Sequence, residues 1–154
     1  MKPTLSITKE DEKIRIYCHP AIAATLHYSL DKLTHTYGGT PSKSKISTKK
    51  YKGITEDQAL LDEYKIELYN ERQKLANELL AKIVIGAQLN ILLTFEEADS
   101  LLAMLNDRRM ELGNKFNITE EDMVGRVPLD KPIGQALAEI SMLSIFQELI
   151  INAL

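Results

Sequence analysis

The chain has one cysteine, Cys18, among 154 residues. A lone thiol excludes an intramolecular disulfide and any zinc site built on cysteine pairs. Histidine is also scarce, with only His19, His27 and His35 present. His27 and His35 lie more than two helical turns apart, and no His/Glu pair of the metalloprotease kind occurs, so no metal site is expected. Cys18 beside His19 offers no dyad either, because adjacent strand residues point to opposite faces. No glycine-rich phosphate loop is present, since GGTPSK lacks both the spacing and a preceding strand. No cofactor is expected. The most apolar run, near residues 82–95, is broken by Gly86, Gln88 and Asn90 and is too short to span a bilayer. The start, MKPTLSITKEDEK, has no apolar leader core, so the expectation is a cytoplasmic protein with no membrane partner.

The composition that remains is that of a soluble globular domain, 44% hydrophobic and 27% charged. A net charge of −3 argues against a globally basic nucleic-acid binder but leaves room for a local patch. Residues 38–53, GGTPSKSKISTKKYKG, are such a patch and read as a flexible lysine-rich loop inside a single domain, 1–154. Taking its five lysines from the 19 basic residues leaves 14 against 22 acids, or −8 for the rest. Lys43, Lys45, Lys49, Lys50 and Lys52 could contact phosphates. Only Tyr51 stands nearby for stacking, which makes a nucleic-acid partner the weaker expectation.

Alternating apolar residues on either side of TKEDEK predict a small N-terminal β-hairpin. Pro20 opens a helix carrying Ile22, Leu26, Leu30, Leu33 and Tyr37, and Gly38-Gly39 ends it. Thr55 to Gln58 has the pattern of a capping box. It begins a long helix whose apolar stripe is Leu61, Tyr64, Leu68, Leu75 and Leu79. Residues 83–93 are ambiguous; the β-branched Ile83-Val84-Ile85 and Gly86 favour a helix end followed by a short extended segment. Thr94 to Glu97 is a second capping box, opening a helix that Gly113 is expected to close. Thr119 to Asp122 starts a helical turn. Pro132 begins a last helix to Leu154, in which Glu139 and Glu148 are the only charges. The expected fold is mainly α (α+β): a compact helical domain of about four to five helices with a small N-terminal β-hairpin.

Helical phase on the stripe Ala98, Leu102, Leu105 and Leu112 places Arg109 inward. A buried guanidinium needs a partner, and Glu139 or Glu148 could supply it as a clasp between two helices. The functional alternative makes Asn106, Asp107 and Arg109 the polar rim of a pocket. The last helix is apolar on most faces, so Ile145, Leu149, Ile150 and Ile151 form a candidate partner surface.

The segments LNDRRMELGNKFNITEEDM (Leu105 to Met123) and FQELIINAL (Phe146 to Leu154) resemble a bacterial family of uncharacterised proteins, domain of unknown function two-thousand-and-seventeen. Its pattern Leu-Asn-Asp-x-Arg-x-x-Leu-Gly is matched at Asn106, Asp107, Arg109 and Gly113, and its terminal Gln-Glu at Gln147 and Glu148. Arg108 stands where that pattern usually has an apolar residue, and Met142 and Phe146 where it often has tryptophan or leucine. The resemblance implies no activity; its genomic setting implies a link to Clp-type regulated proteolysis. Together these readings lead us to expect a non-enzymatic interaction or regulatory protein, bound to a protein partner or to itself as a homodimer. The alternatives are a nucleic-acid-associated regulator acting through the lysine loop and an enzyme with a pocket around Arg109.

Overall fold

The computed structural model describes residues 4–39, 56–125 and 128–154. The lysine loop beyond Gly39, its five lysines and the Thr55 capping box lie outside the described residues. The described chain is mainly α. Its elements are β1 (Leu5–Glu10), β2 (Lys13–Cys18), α1 (Pro20–Gly38), α2 (Glu56–Lys82), β3 (Leu89–Thr94), α3 (Phe95–Lys115), α4 (Glu120–Val124) and α5 (Pro132–Ala153).

The hairpin turns at Asp11, whose φ of 54° is one an aspartate tolerates. It is completed by β3, giving an antiparallel sheet in the order β1-β2-β3. Ile16 pairs with Ile7 on one side and with Ile91 on the other. Period-2 alternation then turns Ile7, Ile14, Ile16, Cys18, Leu89, Ile91 and Leu93 inward, all buried. The outer face is polar apart from Leu92: Arg15 bonds Glu10 and Asn90, and Tyr17 donates to Gln88. The ambiguous segment is therefore a helix end at Lys82 and a strand from Leu89, and that strand pairs directly with the hairpin.

Helices cover the inner face. Leu26, Leu30, Leu33 and Tyr37 of α1 and Leu75, Ala76 and Leu79 of α2 join one core with Leu101, Met104, Leu105, Leu143, Phe146 and Ile150. α1 and α2 run antiparallel: Gln73 donates to the Thr34 carbonyl, and Tyr37 meets Tyr69 edge-to-face at 5.3 Å. Because α1 ends at Gly38, opposite Gln73, the first turns of α2 extend past it. Leu61 and Tyr64 are consequently exposed, although the stripe in the sequence suggested that they would be covered.

The α3 start has its capping box, with Thr94 Oγ1 accepting from Glu97 N–H and Glu97 accepting from Thr94 N–H. Its end differs from expectation. Gly113 lies inside the helix, which continues to Lys115. Asn117 takes the left-handed conformation (φ 48°) instead. Ile118 N–H bonds the Gly113 carbonyl and Asn117 N–H the Asn114 carbonyl, a Schellman ending in which asparagine replaces glycine. α5 is long and apolar enough by composition to cross a membrane. Here it packs on α3, β1 and α1, and the acidic Glu139 sits buried along its length.

Candidate functional site

Two arginines follow one another on α3, and the fold separates them. Arg108 is 8% exposed, whereas Arg109 is half-buried. The inward stripe is Ala98, Leu101, Leu105, Arg108 and Leu112, joined by Met104. The expected stripe used Leu102 in place of Leu101, and that substitution rotates the inward direction by one residue. Arg109 thus does not enter the core or meet Glu139 or Glu148. Its Nη1 donates to Gln147 Oε1 at 2.7 Å, and Gln147 Nε2 donates to the Leu102 carbonyl at 3.1 Å.

Arg108 forms the clasp. Its Nε lies 2.6 Å from Glu139 Oε2 and its Nη2 3.1 Å from Oε1, a two-pronged ion pair between α3 and α5. Ser29 Oγ on α1 donates to the same Oε2 at 2.7 Å, so three helices converge on one carboxylate. Glu139, Ser29 and Arg108 are all buried. Each charge needs the other, since an unpaired ion at such a site is costly to leave dry. Glu139 was one of the two acids that the sequence offered. Ser29 carried no signal beyond its place on the α1 stripe, one residue before Leu30.

The other expected network residues divide. Asp107 joins three helices: its Oδ2 accepts from Arg72 Nη1 and from the Tyr37 hydroxyl, both at 2.7 Å. Burial, reinforced by the Asp107 carboxylate, holds the Tyr37 phenol far above its ordinary pKa. Asn106 and Glu148 are exposed and stand apart from this network. On α5, Ile145 and Ile151 face solvent, Leu149 is half-buried, and Ile150 is fully buried in the core. Ile150 is therefore removed from the candidate partner surface; its position one turn beyond Phe146 on the inward face accounts for its burial.

Above the Arg108–Glu139 pair lies a groove of about 710 Å³ between α1, α3 and α5. Leu112, Phe116, Leu129 and Met142 give it apolar walls, and Ala24, Ala136 and Ala138 keep parts of its lining shallow. The Tyr28 ring stands in one wall, 52% exposed, with Arg108 Cζ 5.8 Å and Lys32 Nζ 5.3 Å from its centroid. Lys115 lines the groove beside Phe116. Among the described residues Glu139 is the one acid in the lining and is already held by Arg108, so their uncompensated charge is positive. Arg109 is not among its lining residues.

No family model, curated protein or solved structure matches this chain.

Ser29, fully buried behind the groove lining, spends its hydroxyl on the Glu139 carboxylate, and that carboxylate is held by the Arg108 guanidinium. Cys18 is far from the groove in character, being fully buried under the sheet. Burial pushes its thiol from an ordinary value near 9 up to about 11. His19, next to it, faces outward and caps α1 by accepting from Ala21 N–H at 3.2 Å. Native protein at pH 8 should therefore hold about a hundredfold less thiolate than a free cysteine, and iodoacetamide should label Cys18 no faster than the protein unfolds. The raised pKa also fixes a sign. This thiol's contribution to stability is intact below pH 9 and declines as pH rises from there toward 11, where only the unfolded chain ionises. Rapid labelling of the folded protein at pH 8 would contradict the burial.

Proposed function

We propose that this is a non-enzymatic interaction protein that receives a protein partner in the α1–α3–α5 groove. The observation that carries the reading is the combination of apolar walls with a floor whose polar groups satisfy one another. A floor of that kind holds a shape and presents an apolar surface, which is how grooves that accept a partner helix work. The resemblance at Leu105–Met123 and Phe146–Leu154 adds regulated proteolysis as the setting in which we place such an interaction.

The test is photo-crosslinking from within the groove. A photoreactive amino acid replacing the half-buried Met142 should yield a discrete protein adduct in the native cell. The same group replacing the exposed Asn152, outside the groove lining, should not. No adduct from Met142, or equal adducts from both positions, would remove this reading.

A further inference from the structure

The strongest complement to the groove is found on the chain itself. Since Tyr37 packs on Tyr69 and α1 ends at Gly38, residues 56–68 of α2 run on past α1 for about 20 Å at 1.5 Å per residue. Asp62 marks the buried side of this arm, 7% exposed. The opposite side presents Leu60, Leu61 and Tyr64 to solvent, at 63%, 53% and 61%. Helical spacing brings Glu67 and Glu71, both exposed, onto the face of Leu60 and Tyr64. The arm is thus an amphipathic helix whose outer face is apolar at one end and acidic at the other. Within residues 58–71 Lys65 is the only base against Asp62, Glu63, Glu67 and Glu71.

The groove is the opposite in charge and alike in apolarity. It offers Leu112, Phe116, Leu129 and Met142 for apolar side chains, with Lys115 in its lining and Lys32 at its Tyr28 wall. We infer that the groove's occupant is the α2 arm of a second copy of this chain, exchanged reciprocally in a two-fold dimer. The inference rests on the groove reading above. A two-fold arrangement uses each contact twice, since each subunit contributes one arm and one groove. It also covers three large apolar side chains that are otherwise left in water.

Two charge-reversed variants test this in the full-length protein. One carries Glu67→Lys on the arm and Glu71→Lys one turn beyond it on the same face, the other Lys32→Glu and Lys115→Glu on the groove; all four side chains are exposed and outside the core. By light scattering, wild type should be a dimer at micromolar concentration. Each variant alone should dissociate on the order of tenfold more readily or worse, because like charges then face each other at both contacts. Mixing the two variants should restore a dimer, since both contacts in the mixed species again pair opposite charges. The inference is overturned by a monomeric wild type, by a dimer indifferent to both reversals, or by variants that dissociate and do not recover on mixing. A dimer that survives the reversals but is lost with Ile145→Asp would place the contact on α5 instead. The Met142 crosslink separates the two levels: an adduct with a different protein overturns the self-docking alone, whereas no adduct removes the groove reading beneath it.

Discussion

Arg108→Ala should destabilise the protein by about 3–5 kcal/mol, because it leaves the buried Glu139 carboxylate without its counter-charge. Denaturant unfolding of the variant would measure the loss. Glu139 would keep only the Ser29 hydroxyl, and one neutral donor does not support a charge in a dry site. The distinguishing case is the double variant Arg108→Met with Glu139→Leu. Removing both ions together and filling the space with apolar side chains should recover most of the loss, and could leave the protein as stable as wild type. Arg109→Ala, one residue on, should cost less, about 1.5 kcal/mol, since that side chain is half-buried and its hydrogen bond goes to a neutral amide rather than to a buried carboxylate. A large loss at Arg109 and a small one at Arg108 would refute the phase of α3. If the double variant remains folded but no longer yields the groove crosslink, the ion pair serves the shape of the groove rather than stability.

Gly134→Ala should be the most damaging single methyl in the described chain, with a cost of about 3 kcal/mol. A Cβ at this position would overlap the Pro128 carbonyl oxygen, lie 2.8 Å from the Pro128 carbonyl carbon and 3.3 Å from Leu129 Cα. These are backbone atoms, so no side-chain rotation relieves the contact. Gly134 lies in the first turn of α5, and Pro128 also accepts from Lys131 N–H, which ties the segment down just before the helix. The strain should move Leu129 away from the groove it lines. Thermal unfolding would report the stability loss. Gly113→Ala is the control: nothing lies within 4 Å of the added methyl, and a helix interior prefers alanine. That variant should be as stable as wild type or more so.

How much of this was legible in the sequence depended on how local the cause was. The Thr94 and Thr119 capping boxes, the proline starts of α1 and α5 and the strand alternation of the hairpin are set by neighbours within a few residues, and the sequence displays them directly. The phase of α3 is not local. Leu101 and Leu102 are consecutive, so the stripe could be drawn through either, and only the positions of α1 and α5 decide between them. A signal did exist: in the pattern that Leu105–Gly113 resembles, position 108 is usually apolar, as an inward position would be. The exposed face of the α2 arm was likewise invisible, because its stripe looks like any buried one until the register of the two helices sets Gly38, the end of α1, opposite Gln73. Gly113 misled for a similar reason, since asparagine at 117 serves as the left-handed residue that a glycine usually supplies.

The pairing of β2 with β3 bears on the order in which the chain can fold. Cys18 and Leu89 are register partners, yet the whole α1–α2 hairpin lies between them in the sequence. Closing so long a loop in an unstructured chain is entropically expensive, whereas helices and the β1–β2 turn form from near neighbours. Once α1 and α2 have zipped together, their ends bring residues 19 and 88 close, and the remaining search for β3 is short. The third strand, although it lies in the same small sheet as the first two, should therefore pair late, and pulse-labelled hydrogen exchange during refolding should protect the amides of α1 and α2 before those of β3.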